Sequence, residues 1–403
     1  MAGPLVAAPF ELSEFPPVPE SSQLPPLNPD LITGSLGSMT AGPQTCAGDF
    51  YGYLFAAQPG LRGMFPPQMS VQNERLFGAL VRIVSLLDKP YLLAGYLAQL
   101  GADHRKYGVS PEHYMPVGDA LIRALRRHCK TWDESTERAW MTAYSMAADM
   151  MITGAEAQTG PAAWRCQVVK HERRTHDLAV VTVRPDQPLP YEAGQYVTVQ
   201  TPRWPQVWRH FSVANAPAAD GLIDLHIRAV PAGWVSNTLV SLTSPGDEIL
   251  LGPAAGEMTA GHANGSDLVC VAGGTGLAPL RAIVEDVLRS DEENVAAGTG
   301  VRRNISLFHG ARDPLGFYDM PHLRELSSFY PWFQVVPVIS GDHDFGGLRG
   351  NVAEIAVKHG DWSERHAFIS GPEGMVRDAV LGFQAAEVPD AQVHYDGIEV
   401  GDA

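Results

Sequence analysis

The chain is predicted to be a multidomain protein with an all-α N-terminal third and a mixed remainder that ends in a parallel α/β domain. Three observations predict this. From about Asn28 to Ala157 apolar residues recur at helical spacing with no convincing strand. Gly194-Gln195-Tyr196-Val197-Thr198-Val199 alternates as a half-buried strand does. Leu268-Val269-Cys270-Val271-Ala272 is a short continuous apolar run of the kind that parallel strands bury on both faces, and helical spacing follows from Leu280 to Leu288. A chain of 403 residues allows two or three domains, and 45% hydrophobic residues suffice for full cores.

Residues 1–30 carry Phe15-Pro16-Pro17-Val18-Pro19 and Leu24-Pro25-Pro26-Leu27-Asn28-Pro29 with few charges, and read as a disordered or extended Pro-rich tail. Such a tail is more often simply solvated than a partner motif, and a weak partner is the alternative. Helical spacing is clearest over Leu76 to Leu87, Tyr91 to Leu100, Pro116 to Leu125 and Glu134 to Ile152. The balance of 45 Asp and Glu against 29 Lys and Arg, a net charge of −16, argues against nucleic acid as a partner. Apolar runs are too short to span a bilayer and the N-terminus lacks the pattern of a secretory leader, so a soluble, cytoplasmic protein is expected. Cys46, Cys129, Cys166 and Cys270 are far apart with no CxxC pair, which excludes a cysteine-held iron–sulfur domain from this sequence.

The chemistry starts at Gly273-Gly274-Thr275-Gly276-Leu277-Ala278-Pro279, a strand-to-helix turn. Glycines lack Cβ atoms and let backbone N–H groups approach an anion, while the helix behind adds partial positive charge. Glycine turns are common in α/β proteins, so the assignment rests on what surrounds this one. A second turn, Phe368-Ile369-Ser370-Gly371-Pro372-Glu373-Gly374-Met375, repeats the pattern. Upstream, Arg209-His210-Phe211-Ser212 lies beside the strand that carries Tyr196, and Gly233-Trp234-Val235-Ser236-Asn237 reads as a helix start. An arginine for phosphate, an aromatic edge and a hydroxyl beside an isoalloxazine, and a helix start at Val235 and Ser236 for the pyrophosphate are the parts a flavin needs.

This order resembles the ferredoxin-reductase superfamily. The resemblance implies an antiparallel β-barrel that binds FAD, expected over residues 161–262, and an α/β parallel-sheet domain that binds NAD(P)H, expected over 263–403. It places Gly371 and Pro372 beside Gly273 to Pro279 as the dinucleotide site. Arg312, which follows Ile305-Ser306-Leu307-Phe308, either meets the 2′-phosphate of NADP, is solvated, or pairs with Asp313, so NADH and NADPH both stay open.

In the helical third, Ala102-Asp103-His104-Arg105-Lys106-Tyr107-Gly108-Val109-Ser110-Pro111-Glu112-His113-Tyr114 followed by Val117-Gly118-Asp119-Ala120-Leu121 resembles the proximal haem segment of flavohaemoglobins. The likeness extends over about residues 45–400. It implies a globin-like domain, expected over 31–160, that binds haem b through His104 as axial iron ligand. Tyr114 takes the place of the proximal tyrosine. Tyr51 matches the tyrosine that hydrogen-bonds bound oxygen, Gln72 and Leu76 the distal pair one helical turn apart, and Phe65 the aromatic that wedges the haem.

Five positions depart from the family. Asp103 stands where a lysine is usual. Ungapped alignment puts Ala155 at the proximal glutamate, with Glu156 one position later and about 100° round the helix. Ile398 replaces the aromatic that stacks on the flavin. His210 and Phe211 stand where a polar residue and Tyr are usual, and Phe211 keeps the ring but loses one hydrogen bond. The resemblance implies electron transfer from NAD(P)H through FAD to haem and the oxidation of nitric oxide by dioxygen to nitrate. The alternatives are an NAD(P)H-dependent flavin reductase or a peroxide or organic-substrate enzyme with a retuned or degenerate globin, and, from another class, a gas or redox sensor.

Overall fold

The computed structural model describes residues 27–263, 265–342 and 344–396. The chain divides into two compact units, Met1–Ala162 and Ala163–Ala403. Most of the Pro-rich tail lies outside the described residues, as does Ile398; Pro29 and Asp30, the last two residues of that expected tail, begin the first helix.

The first unit is helical, with α1 (Pro29–Gly37), α2 (Pro43–Ala57), α3 (Ser70–Ser85), α4 (Pro90–His104), α5 (Tyr114–His128) and α6 (Glu134–Glu156). Prolines open α1, α2 and α4, where a missing N–H costs nothing and the fixed φ suits a helix. Asn28 caps α1 and Asp133 caps α6, each side chain accepting from a backbone N–H of the first turn. The core gathers Ile32, Phe50, Leu54, Leu121, Leu125 and Trp140, and the Trp140 indole donates to Ser35 Oγ at 2.9 Å inside it. Asp49 of α2 holds the end of α5 by accepting from His128 Nε2 at 2.8 Å and pairing with Arg127 at 3.0 Å.

Helices α4 and α6 cross backbone to backbone. A Cβ on Gly101 would lie 1.9 Å from the Met151 carbonyl oxygen, and one on Gly154 would lie 2.4 Å from Ala98 Cα. Similarly, a Cβ on Gly118 would meet the Tyr144 ring at 2.5 Å, which lets α5 approach α6.

The second unit opens with β1 (Trp164–Arg173), β2 (Leu178–Pro185), β3 (Tyr196–Gln200), β4 (Arg209–Ser212), β5 (Ile223–Arg228), α7 (Trp234–Ser241) and β6 (Glu248–Leu251). The strands pair antiparallel in the order β4-β3-β6-β1-β2-β5, and a bridge from Val213 to Leu225 draws the two edges towards closure. This is the antiparallel near-barrel expected from the resemblance.

Next come β7 (Leu268–Gly273), α8 (Leu277–Ala296), β8 (Ile305–Ala311), α9 (Met320–Phe329), β9 (Phe333–Ile339), β10 (Leu348–Arg349), α10 (Val352–His359), β11 (His366–Ser370), α11 (Glu373–Ala385) and β12 (Val393–His394). They form a parallel sheet in the order β10-β9-β8-β7-β11-β12. Strand β7 is buried along its whole length, Leu268, Cys270 and Ala272 facing one core and Val269 and Val271 the other. Strand β2 is buried on both faces too. Its Val181 and Val183 fill the barrel, while Leu178 and Val180 pack with Leu280 and Ile283 of α8, so barrel and sheet share a core.

The Gly101→Ala and Gly154→Ala variants should each lose about 1–3 kcal/mol or more in urea unfolding, because the added methyl has no room. Gly95→Ala on the same α4, where no atom of the described residues lies within 4 Å of the new Cβ, should be neutral or stabilising by up to about 1 kcal/mol.

Candidate active site

In the helical unit the Tyr51 ring is buried on α2, edge-on to Phe65 at 5.4 Å and stacked against Phe55 at 5.8 Å. Gln72 of α3 hydrogen-bonds the Tyr51 hydroxyl, and Leu76, one turn on, joins the same cluster. Burial pushes the Tyr51 hydroxyl up to about 12 despite the Gln72 bond, so it stays a protonated donor. The loop carrying Phe65 is clamped by Arg62, which donates to the carbonyls of Phe65, Pro66 and Pro67 at 3.2, 3.0 and 3.0 Å. Arg62 escaped the sequence analysis because its partners are carbonyls that any residue carries.

His104 ends α4. Its Nδ1 lies 2.7 Å from the Leu100 carbonyl oxygen, which can only accept, so Nδ1 carries the proton and Nε2 presents a lone pair. Burial lowers the imidazole below its ordinary value and favours this neutral form, the one that ligates metals. Tyr114 opens α5, and its carbonyl accepts from the Tyr144 hydroxyl at 2.5 Å. Glu156, the last residue of α6, is exposed and makes no hydrogen bond to Tyr114 or His104 among the described residues. Asp103 is also exposed, 3.4 Å from the Gln99 amide. The structure thus brings Tyr51, Phe65, Gln72 and Leu76 together and leaves Glu156 apart from its expected partners.

In the barrel, β3 and β4 pair Tyr196 with Ser212, Val197 with Phe211, Thr198 with His210 and Val199 with Arg209. Strand alternation therefore divides the Arg209–Ser212 run between two faces. His210 and Ser212 share a face with Tyr196, whose ring meets His210 edge-on at 5.1 Å. Phe211 lies on the other face against the barrel core, and Arg209 donates to the Trp208 carbonyl at 2.9 Å. A Cβ on Gly256, which has φ +106, would lie 3.1 Å from the Tyr196 ring and 3.3 Å from Asp396 Oδ1. Burial pushes the Asp396 carboxyl up to about 6, with the Glu257 charge adding to it and a Met258 backbone bond opposing it. Asp396 gains these surroundings only because the fold carries the C-terminal segment back to Tyr196.

Gly233 caps α7, and the Ser236 hydroxyl accepts from the Val230 N–H at 3.4 Å. Val235 and Ser236 are buried, so the backbone rather than these side chains forms the face of the helix start. Trp234 stacks on Trp204 at 4.5 Å beside it, and the two line a cleft of about 490 Å³ with Arg203 and Asn237.

The two glycine turns sit at the carboxyl ends of β7 and β11, where the strand order departs in opposite directions. That crevice is the ligand site of open α/β sheets. The turns interlock. A Cβ on Gly276 would lie 2.2 Å from the Ser370 carbonyl oxygen, and one on Gly371 would lie 2.9 Å from Gly273 Cα. Pro372 caps α11 and packs against Gly273. Gly274 adopts φ +55, and Thr275 is half-buried, whereas Leu277, Ala278 and Pro279 sink into the core and anchor the start of α8. Arg312 is exposed after β8, and the Asp313 carboxylate is engaged by the Leu315 N–H at 2.9 Å.

Residues 48–151 match the globin family, 165–259 the oxidoreductase FAD-binding domain and 270–380 the oxidoreductase NAD-binding domain. The flavohemoprotein of Deinococcus radiodurans is 27% identical over 378 residues, 87% of this chain and 91% of that one. The chain has the domain make-up of a flavohaemoglobin. Its second unit carries the FAD-binding and NAD-binding domains of oxidoreductases. The flavohemoglobin of Malassezia yamatoensis, solved with bound FAD and heme, shares the fold with a TM-score of 0.72 at 18% identity, covering 91% of this chain and 97% of that one.

The reductase component of phenol 2-monooxygenase from a Pseudomonas strain is 30% identical over 203 residues, 49% of this chain and 55% of the relative. The chain thus spans about half the length of that relative. Among the described residues no helix is long and apolar enough to cross a membrane.

The Gly371→Ala variant should raise the KM for NADH by about 10-fold or more in ferricyanide reduction, since its methyl would push the turns apart, while FAD content stays unchanged.

Proposed function

We propose that the chain is a nitric oxide dioxygenase, with a haem domain within 31–160, an FAD domain within 161–262 and a dinucleotide domain within 263–403. The observation that carries the reading is His104, whose Nδ1–H is spent on Leu100 so that Nε2 is free to ligate iron. A flat apolar group would find uncovered apolar surface on α3, where Leu76, Phe77, Leu80, Ile83 and Val84 are all partly exposed among the described residues. FAD fits the barrel edge through Tyr196, His210 and Ser212, with Arg209, Phe211 and the start of α7 as its remaining support.

When bound, FAD and haem supply two-electron uptake from nicotinamide and one-electron delivery to iron, for the overall change of two NO, two O₂ and one NAD(P)H to two nitrate, NAD(P)⁺ and a proton. The chain's own residues do the rest. The interlocked turns bind the pyrophosphate through backbone N–H groups. Tyr51, kept protonated by burial and oriented by Gln72, would donate a hydrogen bond to a gas held by the haem, and the apolar residues of α3 would exclude water. Tyr114 and Phe65 would pack against the haem.

A second reading, turnover of peroxide or an organic substrate, is favoured by one observation: Glu156 lies exposed instead of strengthening the basicity of His104 through Tyr114. Sensing alone is disfavoured, because a sensor needs neither dinucleotide turn.

The purified chain loaded with haem and FAD should consume nitric oxide when given NADH and oxygen, and failure to do so while turning over peroxide would establish the second reading. His104→Ala should lose haem but keep NADH-driven ferricyanide reduction. Tyr51→Phe should speed oxygen release by about 10-fold or more, the loss of one charge-assisted hydrogen bond, as followed by stopped-flow absorbance. Arg312→Ala should narrow any preference for NADPH over NADH in steady-state kinetics, and an unchanged preference would remove Arg312 from dinucleotide selection.

A further inference from the structure

His309 of β8 is wholly buried and stands opposite Ala272 in the β7–β8 register, one pair short of Gly273 and Gly310. Its Nε2 lies 3.3 Å from the Gly274 carbonyl oxygen. A carbonyl only accepts, so Nε2 carries the proton and donates. The other ring nitrogen, Nδ1, is buried with no hydrogen-bond partner among the described residues. An unpaired buried acceptor costs free energy, so the site would be more stable with an apolar ring unless the bond to Gly274 matters. The rings of Phe317 and Tyr318, 5.4 and 6.3 Å away, meet the imidazole edge-to-face.

The Gly274 oxygen also accepts from the N–H of Leu277, the first residue of α8, so both of its lone pairs are engaged. Within a planar trans peptide the C=O and the following N–H point in opposite directions. Holding the Gly274 oxygen towards β8 therefore aims the Thr275 N–H away from β8. Gly274 needs such a restraint, because a glycine at φ +55 with no atom of the described residues within 4 Å of its Cβ position is free to turn.

We propose that His309 is a positioning residue for dinucleotide binding, which acts through the Gly274–Thr275 peptide to present the Thr275 N–H to the pyrophosphate at the β7–β11 crevice. The inference rests on reading that crevice as the NAD(P)H site. Burial lowers the imidazole to about 4, so at neutral pH it carries the single proton that this role needs.

The test is calorimetric titration of NAD⁺ into the full chain loaded with FAD and haem, for the wild type, His309→Phe and His309→Gln. Binding by the wild type supports the site itself, and its failure would overturn that reading before His309 is considered. His309→Phe should weaken NAD⁺ binding by about 2- to 10-fold, the loss of one neutral hydrogen bond, and should raise KM for NADH without changing kcat or FAD content. His309→Gln, whose amide N–H reaches a similar distance, should restore most of the affinity. Unweakened binding by a folded His309→Phe, or an equal loss in both variants, would overturn the proposal. Should His309→Phe fail to fold, nitrogen NMR of the wild-type imidazole decides: the Nε2–H tautomer supports the role and the Nδ1–H tautomer refutes it.

Discussion

The reductase unit depends on one steric constraint, the approach of the β7 and β11 turns to a distance that no side chain tolerates. Gly273, Gly276 and Gly371 form this contact, and each would meet a neighbour at under 3 Å if it carried a Cβ. The contact works because its parts are held rigidly, β7 by apolar cores on its two faces and the start of α8 by the burial of Leu277, Ala278 and Pro279. Binding groups supplied by backbone are only as well placed as the scaffold beneath them.

A buried polar network ties the barrel to this scaffold. Arg281 of α8 reaches Asp224 of β5 at 3.4 Å, Glu285 at 2.8 Å and Asp319 at 3.4 Å, while His226 of β5 bonds the Tyr318 hydroxyl at 2.9 Å. Burial raises the Asp319 carboxyl above the usual range against the pull of Arg281. Such a network adds little net stability, but it makes one arrangement of barrel and sheet far better than its neighbours, because any displacement leaves buried charge uncompensated. The helical unit uses the same steric device as the turns: Gly101 and Gly154 bring α4 against α6, and the end of α4 carries His104.

Much of this was legible in the residues. The apolar run of β7, the alternation of β3 and the helical spacing of α3 to α6 are local patterns that follow from burial on two faces, one face and a stripe. Tyr51, Gln72, Leu76 and Phe65 could be named in advance, and they converge. Arg62, Asp396 and His309 could not. Arg62 bonds to carbonyls, Asp396 gains its surroundings only after a chain reversal, and His309 acts on a residue 35 positions away. The Arg209–Ser212 run shows the opposite case. As a string it reads as one binding element, but the strand period sends Arg209 and Phe211 one way and His210 and Ser212 the other.

The sequence by itself determined the classes of structure and their order along the chain, since periodicity, prolines at helix starts and glycines at turns act over a few residues. It also determined the kinds of chemistry, through a histidine on a helix and two glycine turns after buried strands. Only the tertiary structure decided which side chains share a site, because those contacts depend on register, helix rotation and crossing distance. Glu156 illustrates the difference. One residue in sequence is about 100° on a helix, and the fold leaves its carboxylate exposed, without a bond to Tyr114 or His104 among the described residues.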